Sequence, residues 1–330
     1  MSTNKAYEKG DPFLSIIIPA FNESSEIYNS LKILQVFLDS QIYSWEIIVV
    51  DDGSNDNTRA IVEDWILQNA NSHLIKNAHL GKGAAVKTGM LAAKGQVRLM
   101  CDADLSMPVN LIEEFIQSHQ LGFDITIGSR EIEGSKRFGE PNFRHIRGRI
   151  FNFWLRFLGI NKFQDTQCGF KSFSAPLANF LFSQLEITGF GFDVELMHIA
   201  SKQKQVKIQE IPIEWHHNIN SKVRPLRDPF AMIRDSVKVK WKSAIGKYNL
   251  VYQPENHSIE YTSDSSIYVV IPTFNEAKNI PDLTDRLLKL NLPNLQILFI
   301  DDNSPDGTSE SIKKISKKFE FNKIQLIQRI

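Results

Sequence analysis

A mainly parallel α/β sheet, doubly wound by helices on its two faces, is the fold class this sequence predicts. Three observations predict it. Short Ile- and Val-rich runs alternate with amphipathic helical stretches from residue 13 onward, which argues for repeated βαβ units. Polar clusters follow the strands at Pro19–Glu23, Asp51–Ser54 and Asp102–Asp104, and open α/β sheets bind ligands beyond the carboxyl ends of their strands. The opening motifs recur after residue 266, so the architecture is used twice.

Phe13 to Pro19 is a buried-type strand closed by proline. The turn after it runs into a helix that Ser24 or Ser25 is expected to cap, with Glu26 in the first turn. Trp45 to Val50 is the second strand, Thr58 to Leu67 the second helix, and His73 to Lys76 a weak third strand. Gly81-Lys82-Gly83-Ala84-Ala85 opens a helix to about Ala93. Two glycines and a lysine at a helix N-terminus suit a phosphate. The spacing is not that of a Walker A loop, and no Ser or Thr follows the lysine. Val97 to Cys101 is the fourth strand and Ile125 to Ser129 the fifth, ending at Arg130. Residues 131–141 read as a mobile loop.

Phe143 to Ile160 is predicted helical and mixes Arg144, Arg147, Arg149 and Arg156 with aromatic residues. Arg144 and Arg147, three apart, share a face. The composition fits either a core helix with solvated arginines or a helix at a membrane interface. Another helix begins near Phe190, where Asp193 suits a cap. Val206 to Trp215 carries strand character, and Phe230 to Lys247 forms a second basic amphipathic helix.

Asp102 and Asp104 are the candidate centre. In extended backbone, residues two apart point to the same side, so both carboxylates aim at one point and repel unless a cation lies between them. Mg²⁺ or Mn²⁺ with phosphate oxygens completing its shell is the natural occupant. A solvated turn capping the helix from about Asn110 would explain an isolated triplet. Three such motifs on one sheet edge favour the functional reading.

The 330 residues balance 38 Lys and Arg against 38 Asp and Glu, so no global field draws in nucleic acid. Two cysteines, Cys101 and Cys168, form no disulfide framework and fit a reducing compartment. No signal peptide is readable, nor any run of roughly 18 apolar residues. The chain divides into a polar tail (1–12), a catalytic domain (13–247), a linker (248–265) and a partial copy (266–330). In that copy Tyr268–Glu276 restates Ser15–Glu23, and Leu298–Ser304 restates Ile48–Ser54. It carries no Asp-x-Asp and is expected to be an incomplete second domain.

Ile-Pro-Ala-Phe-Asn-Glu, Val-Asp-Asp-Gly-Ser, Gly-Lys-Gly-Ala-Ala and Asp-Ala-Asp, in that order, resemble the family 2 glycosyltransferases of the GT-A fold. Arg130, Asp165–Lys171 and Phe192–Glu195 look like the dolichyl-phosphate or polyprenyl-phosphate beta-glucosyltransferase branch. The copy is more like polyprenyl-phosphate mannose synthases. The resemblance implies an inverting transfer of glucose from UDP-glucose to dolichyl phosphate by a peripheral protein on the cytoplasmic membrane face. A GDP-mannose donor, or a sugar-hydroxyl acceptor as in polysaccharide synthesis, are the alternatives. By the same resemblance Pro19, Phe21, Glu23, Val50 and Asp52 line the nucleoside pocket, and Asp102, Ala103 and Asp104 hold diphosphate and metal. Arg130 meets a donor or lipid phosphate, Arg144 with Arg147 the acceptor phosphate, and Lys222 the diphosphate. His216 stands where the mannose synthases carry an arginine.

Overall fold

The computed structural model describes residues 11–139, 148, 151, 153–159, 163–216, 227–253, 267–289, 295–318 and 323–329. They fall into two compact units, Met1–Pro254 and Glu255–Ile330. In the first unit β1 (Leu14–Ala20), α1 (Ile27–Asp39), β2 (Trp45–Asp51), α2 (Thr58–Gln68), β3 (Ser72–Lys76), α3 (Lys82–Ala92), β4 (Val97–Met100), α4 (Leu111–Gln120) and β5 (Ile125–Ser129) alternate as the sequence predicts. The second half adds β6 (Lys136–Phe138), β7 (Lys171–Ser174), α5 (Ala175–Gln184), α6 (Phe192–Lys202), β8 (Ile208–Pro212), β9 (Glu214–His216) and α7 (Arg227–Ala244).

The main sheet runs β3-β2-β1-β4-β7-β5-β8. All its strands are parallel except β7, which is antiparallel to both β4 and β5. Strand β7 therefore begins where its neighbours end, and Lys171 at its start pairs with both Met100 and Ile127. Each face of the sheet carries its own core. Ile17, Ile48 and Val50 pack with Ala85, Val86 and Met90 of α3 on one side. Ile16, Ile18, Ile47 and Val49 pack with Leu31, Leu34, Ile112 and Phe115 on the other. Gly89 is what lets α3 lie so close: a Cβ there would sit 2.5 Å from Ile17 Cγ2.

Hydrogen bonds staple the turn after β1 to the turn after β2. The amides of Asn22, Glu23 and Ser24 donate to Ser54 Oγ, Thr58 Oγ1 and Asp56 Oδ2. Asn22 adopts φ +56° to do so, a conformation Asn tolerates better than most residues. Neither Ser24 nor Ser25 caps α1; Glu26 is its N-cap with no side-chain bond, and the amides of Glu26 and Ile27 donate to the Glu23 carbonyl instead. The expected loop 131–141 contains β6, paired in parallel with β9. The expected linker begins later than residue 248. Tyr248 and Tyr252 are buried in the core of the first unit, and the Tyr248 hydroxyl donates to Glu195 at 2.6 Å. Of the helix expected at 143–160, residues 153–157 are helical; Arg144, Arg147 and Arg149 lie outside the described residues.

The second unit consists of β10 (Ile267–Thr273), α8 (Ile280–Lys289), β11 (Leu295–Asp301), α9 (Thr308–Ser316) and β12 (Ile324–Gln328), with a parallel sheet ordered β10-β11-β12. It reproduces the staple. Asn275, Glu276 and Ala277 donate to Ser304, Thr308 and Asp306, and Asn275 has φ +59°. One face buries Ile280, Leu295, Ile297, Phe299, Ile312 and Ile324. The other exposes Tyr268, Val270 and Ile327; in the first unit α3 packs on Ile17, the counterpart of Val270.

Phe173 on β7 is fully buried and meets Phe182 of α5 edge to face at 5.2 Å, which fixes the reversed strand to the helix behind it. Phe173→Ala is expected to cost about 3–5 kcal/mol of unfolding free energy, measured by urea titration, without changing the far-UV spectrum of the folded state.

Candidate active site

The carboxyl ends of β1, β2, β4 and β5 and the start of β7 bring the predicted residues to one edge. Asp102 and Asp104 follow β4 in a tight turn, in which the Leu105 amide donates to the Asp102 carbonyl at 3.2 Å. Leu105 itself takes φ +42°. A left-handed non-glycine residue is strained, and such strain gathers at functional sites. Asp102 Oδ1 receives Lys82 Nζ at 2.6 Å. Gly169 presses on the same carboxylate, since a Cβ at that position would lie 2.2 Å from Asp102 Oδ2. Asp104 accepts the Ser106 amide at 3.2 Å and has no ion pair among the described residues.

The electrostatics sort the two carboxylates. Burial disfavours charge on Asp102, but Lys82, with Lys171 and Arg130 behind it, holds the carboxyl below its usual range. Burial and the neighbouring Asp102 charge push Asp104 up. A second cation beside Asp104 would relieve that repulsion. Hard carboxylate oxygens are the donors Mg²⁺ or Mn²⁺ prefers, so the pair fits such an ion. No group of three or more His, Cys, Asp or Glu side chains is placed to hold a metal among the described residues. Phosphate oxygens would have to complete the shell.

Several residues assigned to the nucleotide are also tied to the protein around them. Val50 is fully buried under α3, so its side chain belongs to the core. Asp52 is buried too. Its carboxylate oxygens accept the amides of Leu80 and Gly81 at 2.9 and 2.8 Å, which pins the loop leading into α3. Asp51 is bound by Arg59 through two nitrogens, at 2.9 and 2.7 Å. Phe21 stacks on His79 with ring centres 4.1 Å apart, while Pro19 and Glu23 are half-buried beside it. Ala103 is buried and its carbonyl accepts the Ser30 hydroxyl at 2.6 Å.

Part of the start of α3 is taken up by packing against the 187–189 backbone. The Thr188 carbonyl accepts the Ala84 amide at 3.1 Å, and Cβ atoms at Gly81 or Gly83 would clash with the backbone of residues 187–189. The glycines serve this packing, and the lysine between them reaches Asp102. Arg130 is gripped by Asp165 through Nε at 2.6 Å and Nη2 at 2.9 Å and lies 5.5 Å from the Trp215 ring. Lys222 lies outside the described residues, and of His216 only the backbone, in β9, is described.

Three groups without an assigned role join the edge. Lys171 is buried between Asp193 Oδ1 at 2.6 Å and the Cys168 carbonyl at 2.5 Å. Burial pushes Asp193 up despite Lys171 and Lys82 beside it. In the same 165–169 loop the Thr166 hydroxyl and the Gln167 amide nitrogen are buried without a hydrogen-bond partner. Cys101 and Cys168 are both buried free thiols.

Asp165 is buried, which opposes its charge, yet Arg130 holds its carboxyl down at about 2 against an ordinary 3.8. A carboxylate whose folded value is depressed stabilises fully above its unfolded value and loses that contribution as pH falls through the folded one. The shift corresponds to roughly 2 kcal/mol, present above about pH 5 and lost toward pH 2. Asp165→Asn is therefore expected to destabilise the protein at pH 7 and progressively less as pH falls from about 5 to 2. Denaturant melts across that range check it, and a constant difference contradicts it.

Residues 15–182 and 268–329 match Glycosyl transferase family 2, so both units carry the family's pattern. A dolichyl-phosphate beta-glucosyltransferase of Trichomonas vaginalis is 32% identical over 230 residues, 66% of this chain and 68% of that protein. The dolichyl-phosphate beta-glucosyltransferase of Dictyostelium discoideum is 32% identical over 254 residues, covering 72% and 77%. That of Saccharomyces cerevisiae is 31% identical over 265 residues, covering 74% and 79%. Among solved structures, glucosyl-3-phosphoglycerate synthase from Mycobacterium tuberculosis, in complex with Mn²⁺, UDP and phosphoglyceric acid, superposes with a TM-score of 0.52 at 19% identity. It covers 72% of this chain and 80% of its own. The same enzyme with Mg²⁺ and UDP gives 0.51. The shared fold is the GT-A arrangement of a mostly parallel sheet between helices, as the sequence predicts. With its motifs in order on one sheet edge and its family pattern matched twice, this chain belongs to glycosyl transferase family 2, and it is a glycosyltransferase.

Proposed function

We propose that the protein transfers glucose from UDP-glucose to dolichyl phosphate with inversion at the anomeric carbon, working at the cytoplasmic face of a membrane. The observation that carries this reading is the Asp102/Asp104 pair at the sheet edge of a chain 31–32% identical to three dolichyl-phosphate beta-glucosyltransferases over more than two thirds of their length. Asp102 and Asp104 would hold the divalent cation, which offsets charge on the departing diphosphate when bound. A phosphate acceptor is already ionised near neutral pH, so the chain need supply no general base. That agrees with Asp193, a buried carboxylate occupied by Lys171. A sugar-hydroxyl acceptor would need a base, and no observation here favours one. Arg144, Arg147 and Lys222 remain assigned to the acceptor phosphate and the diphosphate, with Arg130 held ready by Asp165.

The surface supports membrane contact. Along α7 and just beyond it, Phe230, Ile233, Val237, Trp241 and Ile245 are exposed at spacings of three or four, which places them on one stripe. Arg234 and Lys238 flank that stripe. Phe153 and Phe157 are exposed on the helical stretch 153–157, which Trp154 fastens to α7 through Ser236 at 3.0 Å. Aromatic rings with cations suit a headgroup layer. No helix among the described residues is long and apolar enough to cross a membrane.

Two measurements test the reading. With dolichyl phosphate as acceptor, UDP-glucose should turn over and GDP-mannose should not. Asp104→Asn should lose at least roughly a hundredfold of kcat, about 2.7 kcal/mol of barrier, while melting normally. Preference for GDP-mannose would transfer the assignment to a mannose synthase. In vesicle flotation, Phe230→Ala/Trp241→Ala should weaken retention on anionic lipid, and salt should weaken it further because exposed charges are screened over about 8–10 Å. Retention indifferent to both would rule this surface out.

A further inference from the structure

Among the described residues three cations line the catalytic edge, and they are held very differently. Arg130 is gripped by both oxygens of Asp165, and Lys171 is locked, fully buried, between Asp193 and the Cys168 carbonyl. Lys82 touches a single oxygen, Asp102 Oδ1, and its side chain retains 24% of its exposure. Its backbone is anchored, because the Thr188 carbonyl accepts the Ala84 amide two residues further along α3. Its four-carbon stem is the movable part.

Asp102 itself has little room. Gly169 packs against Oδ2 so closely that a Cβ would overlap it. With the loop backbone crowding this carboxylate and the ammonium already on Oδ1, a metal ion at Asp102 has to sit close to the Lys82 charge. Two cations on one carboxylate repel, which favours one yielding to the other. A diphosphate arriving at the same edge offers the ammonium another anionic partner, and its oxygens are the ones the incomplete Asp102/Asp104 donor set lacks.

We propose that Lys82 competes with the divalent cation for Asp102 and is drawn away by the nucleoside diphosphate, so that metal and nucleotide bind as a pair. Lys82 is then a positioning residue: it keeps the carboxylate occupied and passes to phosphate as the metal takes its place. Such coupling is reciprocal, with the metal raising nucleotide affinity by the factor by which the nucleotide raises metal affinity. The inference rests on Asp102 and Asp104 being the metal ligands.

The test is Mn²⁺ binding to the full chain, followed by the electron paramagnetic resonance of free Mn²⁺, with and without UDP. For the wild type, UDP should tighten Mn²⁺ binding by roughly tenfold or more, the size expected of one charge-assisted contact. Lys82→Met should bind Mn²⁺ alone roughly tenfold more tightly than the wild type and gain much less from UDP. Lys82→Arg, which keeps the charge, should behave like the wild type. Should Lys82→Met melt early, Lys82→Gln makes the same comparison. Unchanged or weaker Mn²⁺ binding on loss of the lysine overturns the proposal. Asp102→Asn separates the two layers of the argument. If it binds Mn²⁺ as the wild type does, the metal assignment falls and the competition with it; if its binding is lost while the lysine variants are unaffected, only the competition falls.

Discussion

Charge balance along one sheet edge is the constraint on which the rest depends. Asp102, Asp104, Asp165 and Asp193 are gathered within a partly buried surface, and burying carboxylates is costly unless cations accompany them. Lys82, Lys171 and Arg130 supply the partners. Each cation comes from a different element, and each needs its own support. Lys82 depends on the 186–188 turn, whose amides at Glu186 and Ile187 are held by the buried Glu195 carboxylate at 2.9 and 2.7 Å. Glu195 is in turn bound by Tyr248, beyond α7. The chain's last turn of the first unit thus braces the lysine at its catalytic edge.

Most of the first half of the fold was legible because its elements follow local rules. Ile-rich runs closed by Pro, Asp or Gly gave strands whose limits differ from the observed ones by a residue or so. Strand β7 was not legible. Lys-Ser-Phe-Ser is too short and too polar to show a period, and nothing local says that it reverses direction and enters between β4 and β5. Its position follows from the pairing of Met100 and Ile127 with Lys171, a contact between distant stretches. The buried Tyr248 and Tyr252 likewise sit in a stretch polar enough to resemble a linker; their burial depends on the groove beside α6 that tertiary packing supplies.

The site divides in the same way. Asp102 and Asp104 could be read from the sequence because residues two apart on extended backbone share a side. Asp51 and Asp52, being adjacent, point to opposite sides, and the structure uses one to hold Arg59 and the other to hold Leu80 and Gly81. Val50 belongs to a strand buried on both faces, so no alternation distinguished pocket from core. Asp165, Lys171 and Asp193 carry no periodic signal, since their partners arrive through β5, β7 and α6. Nothing in Lys-Ser-Phe-Ser signals that a buried countercharge lies opposite its lysine.

The second unit keeps the whole staple between its first two turns, bond for bond. The most recognisable words of the family, Pro-x-Phe-Asn-Glu and Asp-Asp-x-Ser, are therefore in good part instructions for joining two βα turns. A match to those words alone therefore reports a joined pair of βα turns; the words that report chemistry in the first unit, around Lys82 and Asp102, come later and are shorter.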